Sequence, residues 1–126
     1  MIIIKKHISI YSLKKKWMEI ESSGINVYQS YFVQKAIAKN LPIYALPGGY
    51  RPVYFEIIED DKTVMILPLC KYWKQNKFGI IGDFNGVQSF DFLYSSSVSH
   101  EKMKMYLSEF LKYIKGYSLV IKICHP

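Results

Sequence analysis

Arginine is almost missing from this chain of 126 residues. Arg51 is the only one, so lysine supplies nearly all of the positive charge. Base-reading and phosphate-clamping surfaces lean on the planar, bidentate guanidinium. Its scarcity argues against a dedicated nucleic-acid binder. Cysteine is scarce as well: Cys70 and Cys124 are the only two. Two cysteines build no disulfide framework, and each lies in an apolar strand-like run, as a buried thiol would. His7, His100 and His125 fit neither an HExxH spacing nor a zinc-finger spacing, so no metal site is expected. No apolar run reaches the length of a membrane span. The opening Met1-Ile-Ile-Ile-Lys5 lacks the layout of a signal peptide. A cytoplasmic location is therefore expected, with peripheral membrane contact left open.

What is present is a single core's worth of apolar residues. Hydrophobic residues make up 50% of the chain and charged residues 21%, which excludes disorder. The length allows one domain. The net charge of +7 is spread along the chain rather than gathered in one block. It favours solubility and weak attraction to anionic substrates or lipid headgroups.

Periodicity orders the elements. Residues 2 to 11 mix isoleucines with a period of two around His7-Ile8-Ser9-Ile10, which predicts a half-buried strand with His7 outward. Ser12 is a candidate cap for a short helix carrying Leu13, Trp17 and Ile20 on one side, with Lys14 to Lys16 opposite. Glu19 and Glu21 balance those lysines, and Gly24 marks its end. Ser30 opens a second helix with an apolar stripe of Phe32, Val33, Ala36 and Ile37. Pro42 and Pro47 bar its continuation. Val53 to Glu59 and Thr63 to Cys70 form a β-hairpin about Asp60-Asp61-Lys62. In the first of these strands, Val53, Phe55 and Ile57 oppose Tyr54, Glu56 and Ile58. Pro68 implies a bulge or an edge. Phe78 to Gly82 and Phe90 to Tyr94 are short strand pieces. Ser99 caps the clearest helix, whose apolar face is Met103, Tyr106, Leu107, Phe110, Leu111 and Ile114, and Gly116 stops it. Ser118 to Cys124 is a last strand, apolar enough to be central.

The fold class is therefore α/β (α+β). A mixed, mostly antiparallel sheet carries two helices after its first strand and a third before its last.

Chemistry is harder to find. The Ser95 to Ser99 stretch has no GxSxG elbow. Asp60 and Asp61 fit a solvated turn. Tyrosine is unusually abundant, with eleven. Tyr28, Tyr31, Tyr44, Tyr50, Tyr54 and Tyr72 crowd the first two helices and the hairpin, either as a groove for rings or as packing. By their loop and strand-end positions, Tyr28, Arg51, Tyr72, Asp83 and Asp91 are candidates for a groove.

The order of elements resembles the first lobe of GNAT-type acyltransferases. It is most similar to the double-GNAT proteins of the CelD/BcsL-like (cellulose biosynthesis) and FemAB-like groups. Leu13 to Glu19 (LKKKWME) looks like their opening helix with its tryptophan. Val27 to Ile37 (VYQSYFVQKAI) resembles the start of their second helix, with Tyr28 where phenylalanine is usual and Phe32 at a position often held by tryptophan. Met65 to Leu69 (MILPL) is similar to the end of their hairpin's second strand. Gly82 and Asp91-Phe92-Leu93-Tyr94 resemble the stretch before helix three. The likeness covers about residues 10 to 124 and rests on order and spacing.

The resemblance implies an acyl-CoA-dependent N- or O-acyltransferase. It also implies which part is missing. A CoA-binding lobe holds the pyrophosphate in a glycine-containing loop before its third helix. Here that loop is Tyr94-Ser-Ser-Ser-Val-Ser99-His100, without glycine, so the close backbone approach is lost. Ser97, Ser99 and His100 are the only cofactor-binding candidates, and no catalytic residue is assigned. The expectation is a single GNAT-like lobe over residues 1–126, the N-terminal half of a longer two-lobe protein. It binds no cofactor itself. It shapes an acceptor groove for a saccharide or cell-envelope precursor, while a C-terminal lobe binds acetyl-CoA or another acyl-CoA. Two alternatives remain open: a stand-alone binding or scaffold module pairing with a second copy of itself through the last strand, and a small acetyltransferase with a degenerate CoA loop.

Overall fold

The computed structural model describes residues 1–22, 30–39, 50–72, 76–80 and 92–120. The elements are β1 (Ile2–His7), a 3₁₀ turn (Ile10–Leu13), α1 (Lys14–Glu21), α2 (Tyr31–Lys39), β2 (Tyr50–Glu59), β3 (Lys62–Tyr72), β4 (Lys77–Ile80), β5 (Leu93–Tyr94), α3 (His100–Tyr113) and β6 (Ser118–Val120). They form one mixed sheet in the order β1-β2-β3-β4-β6, with β5 paired to β3. All its pairings are antiparallel except the one between β4 and β6. The fold class read from the sequence is the observed one.

The β2–β3 hairpin organises the molecule. Asp60 and Asp61 both take positive φ, at 51° and 64°. Such a turn matches the right-handed twist of the strands, and Asp tolerates it because its short polar side chain bonds locally. Glu59 opposite Lys62 closes the turn. Pairing then runs back to Tyr50 opposite Tyr72, with one irregularity beside Ile57 and Ile58. There Ile57 faces Met65 and Ile58 faces Thr63, so Val64 is the extra residue of a β-bulge. Val64 and Met65 consequently bury side chains in the same cluster. Thr63 is turned to the opposite face.

The bulge is at Val64 and not at Pro68. Pro68 stands where the far side of β3 changes partner: Met65 and Ile66 pair with β5, Leu69 to Lys71 with β4. Among the described residues, Pro68 thus sits at the junction of two partners, where its missing N–H costs no ladder bond.

Both faces of the hairpin are covered, so β2 does not alternate between core and solvent. Val53, Phe55 and Ile57 pack with Val64, Met65, Leu67 and Leu69 beneath Tyr106 and Phe110 of α3 and Ile114 at its C-terminal cap. Phe55 contacts Phe78, Phe110 and Tyr113 in edge-to-face geometry, with centroids 4.9 to 6.0 Å away. On the other face Tyr54, Ile66 and Cys70 meet Ile10, Leu13, Trp17, Ile20 and Tyr31. Trp17 lies edge-on to Tyr31 and Tyr54 at 6.2 and 5.9 Å. The molecule thus has three layers: α1 and α2, the sheet, and α3.

Several local expectations are corrected. β1 ends at His7, and the chain then turns into the 3₁₀ segment, capped by Ser9, whose Oγ accepts from Tyr11 N at 3.3 Å. Ser12 is inside that turn and caps nothing; α1 starts after Leu13 without a side-chain cap. α1 ends at Glu21, and Gly24 lies outside the described residues. The Glu21 carboxylate accepts from Tyr31 N at 3.1 Å and so ties α1 to the start of α2. α2 buries Tyr31 and Gln34, whereas Phe32 is exposed. α3 begins as expected, with Ser99 Oγ accepting from Lys102 N at 3.2 Å, and ends before Gly116, whose φ of +94° only glycine adopts readily. Leu111 is exposed rather than part of its packed face. Of the last strand, β6 covers Ser118–Val120, and residues 121–124 lie outside the described residues. β6 ends the strand order among the described residues, parallel to β4 alone. Cys70 is buried, as expected, and Cys124 lies outside the described residues.

Candidate functional site

The one charged side chain fully buried in the described structure is Glu56, at 0% exposure in the middle of β2. A carboxylate in that position is costly unless every oxygen is paired. Three elements supply the partners. His7, the last residue of β1, donates from Nε2 to Oε1 at 2.9 Å. Lys16 of α1 donates from Nζ to Oε2 at 2.7 Å. Thr63 Oγ1 donates to the same Oε2. The bulge at Val64 makes the last contact, because a regular strand would have turned Thr63 to the α3 face. Burial alone would raise the Glu56 pKa; the bonds from Lys16, Thr63 and His7 and the charge of Lys16 outweigh it and hold the group below its ordinary value of 4.5.

The network continues outward. Ser12 Oγ stands 2.9 Å from His7 Nδ1 and 2.9 Å from the Ser9 carbonyl. With Nε2–H directed at Glu56, the Nδ1 atom of a neutral His7 accepts from Ser12. When His7 is protonated, Nδ1–H donates to Ser12, and the serine proton turns to Ser9. Ser12, His7 and Glu56 thus form a short hydrogen-bonded chain from an exposed hydroxyl to a buried carboxylate.

A cleft of about 310 Å³ opens beside this network, lined by Lys16, Glu19, Ile20, Asp61, Lys62, Thr63 and Ser95. Lys16 and Thr63 belong to both, so Glu56 lies directly behind the cleft wall. The lining carries both signs of charge and two hydroxyls, which suits a polar ligand. Among the described residues, no group of three His, Cys, Asp or Glu side chains could hold a metal ion.

The sequence-derived candidates among the described residues lie elsewhere. Arg51 is exposed at the far end of β2, opposite Lys71, and Tyr72 closes the same end opposite Tyr50. The backbone brings Arg51 and Tyr72 together there, away from the Asp60–Asp61 turn. Tyr28, Asp83 and Asp91 lie outside the described residues. Ser97, Ser99 and His100 lead into α3 near the turn end, where Ser95 N donates to Val64 O at 3.0 Å. Ser97 and Ser95 hydroxyls pair at 3.0 Å, and His100 is exposed. His7 does not face solvent as expected.

Reading the sequence passed over Glu56, Lys16 and Thr63. The signal for Glu56 was a carboxylate flanked by Phe55 and Ile57 in the interior of an apolar strand. Tyr31 and Tyr54, expected as groove or packing, are packing residues around Trp17. Their hydroxyls are buried without hydrogen-bond partners among the described residues. Burial, and next the neighbouring Tyr31, push the Tyr54 pKa far above the ordinary phenol value.

No family model, curated protein or solved structure matches the chain significantly.

Proposed function

We propose that this chain is the acceptor-side lobe of a GNAT-type N- or O-acyltransferase, working with a second lobe that binds the acyl-CoA. The observation that carries the reading is the topology. Two helices separate β1 from β2, an antiparallel run follows from β1 to β4, and α3 then crosses to a strand parallel to β4. That is the order of elements, on a mixed and mostly antiparallel sheet, which the resemblance implies. The start of α3 supports the division of labour. The Lys102 amide that could meet a phosphate donates to Ser99 instead, and the preceding serines bond one another.

In this reading an amine or hydroxyl of a saccharide, cell-envelope precursor or aminoacyl group enters the cleft beside Lys16, Thr63 and Ser95. Its attack on the thioester requires loss of a proton to a general base, and the base belongs to the complete two-lobe site. A cytoplasmic site of action belongs to the same proposal. Among the described residues, no helix is long and apolar enough to cross a membrane. A thiol-release assay with acetyl-CoA and glucosamine tests the reading. The chain alone is expected to give no release above the blank. Saturable release would overturn the division and favour a small complete acetyltransferase.

A second reading is favoured by β6, which presents an unpaired edge among the described residues. Such an edge invites strand addition by a second copy, as in a stand-alone scaffold module. Sedimentation equilibrium distinguishes it: a dimer supports this reading, and a monomer at high concentration removes it.

A further inference from the structure

We propose that the face formed by the 3₁₀ turn, the start of α1 and the outward side of α2 docks on an anionic phospholipid surface. Ile8 is 75% exposed, and Tyr11 and Phe32 are each 60% exposed. These are large apolar groups to leave in water. Lysine–aromatic contacts tie the 3₁₀ turn and α1 to α2. Lys35 Nζ lies 4.8 Å from the centre of the Tyr11 ring, and Lys14 Nζ lies 5.9 Å from the Tyr31 ring. Tyr31 in turn meets Phe32 at 5.5 Å. On α2, Phe32, Lys35 and Lys39 are spaced by three and four residues and so share one side of the helix. Between the turn and α2 runs a shallow cleft of about 150 Å³, lined by Ile8, Ile10, Tyr11, Lys35, Lys39 and Pro52 among others. No acidic side chain lines it.

The chemistry names the partner. Aliphatic and aromatic tips ringed by lysines suit the boundary between acyl chains and headgroups. The tips enter the apolar layer while the ammonium groups meet lipid phosphates. Lysine carries a compact point charge on a flexible stem, fitted to a layer of phosphates rather than to one clamped group. Ile8 offers no ring on which a base could stack, which disfavours single-stranded nucleic acid as the occupant. The aromatic–lysine contacts hold Tyr11 and Lys35 in place before docking. This inference does not rest on the acyl-transfer reading, since binding to lipid needs neither acyl-CoA nor a second lobe.

Co-sedimentation of the purified chain with vesicles tests it. One vesicle is phosphatidylcholine alone, and the other is phosphatidylcholine mixed with phosphatidylglycerol. The chain is expected to pellet with the mixed vesicles and not with phosphatidylcholine alone. Each lysine near an anionic leaflet contributes roughly a fivefold factor, so Lys35→Glu with Lys39→Glu should lower partitioning at least about tenfold. Ile8→Ser with Phe32→Ser should abolish the binding that persists at raised salt. The control is Lys112→Glu with Lys115→Glu at the end of α3, which changes net charge equally on another face and should keep most of the binding. Circular dichroism and the urea midpoint establish that each variant is folded. The proposal is overturned if phosphatidylcholine vesicles bind as well or if the control loses as much as the patch variants. It is also overturned if the patch variants lose binding to an oligonucleotide while the parent ignores both vesicles.

Discussion

At the residue scale, Glu56 concentrates the electrostatics of the fold. Its carboxylate joins β1, α1 and β3 through His7, Lys16 and Thr63. Replacing it by glutamine keeps the shape and removes the charge, and an amide nitrogen then faces donors. The expected cost is about 2 kcal/mol in urea unfolding, less than a fully buried pair would lose because Lys16 is partly in water. The pH dependence follows from the same group. Its folded pKa is lower than the unfolded value near 4.5, so its contribution is complete above that value. The contribution is lost as pH falls through the folded pKa. Urea midpoints measured downward from neutral pH should show a steeper acid loss in the parent than in Glu56→Gln. Parallel curves would contradict the assignment. Glu56 was hard to read from sequence because one residue cannot announce that both faces of its strand are covered. The covering elements, α1 on one side and α3 on the other, come from distant segments.

At the element scale, patterns with local causes were legible. The hairpin was set by Asp60-Asp61 between apolar runs, α3 by Ser99, its apolar spacing and Gly116. Ser99→Ala removes the acceptor for Lys102 N and should lower stability by about 1 kcal/mol by thermal or urea unfolding. No change would show the cap to be redundant. Patterns decided by tertiary packing were misread. The alternation through Ile8 and Ile10 suggested a longer first strand, yet Ile10 and Leu13 are buried through a 3₁₀ turn beneath Trp17. The apparent stripe of α2 named Phe32 as inward because hydrophobicity alone does not tell Tyr31 from Phe32. The sheet buries Tyr31 against Trp17 and leaves Phe32 outside. The Val64 bulge left no mark in the sequence at all, since a run of apolar residues gives the same reading with or without one extra position.

At the scale of the whole molecule, the layered sheet and the order of its helices follow from the sequence, because each helix carries an apolar side and each strand run is bounded by turn residues. The site did not follow. It is made by side chains from β1, α1, β2 and β3, which meet only once the sheet has formed. Among the groove candidates, Arg51 and Tyr72 share one end of the hairpin, whereas the buried network lies nearer the other. The proposed acceptor-lobe role requires acyl-CoA to bind away from the start of α3, where Ser99 Oγ already takes the Lys102 amide. Isothermal calorimetry of the chain with acetyl-CoA tests this most directly. The account predicts no binding heat at millimolar ligand. Stoichiometric binding at micromolar ligand would contradict it and place the cofactor on the Ser95 to His100 loop.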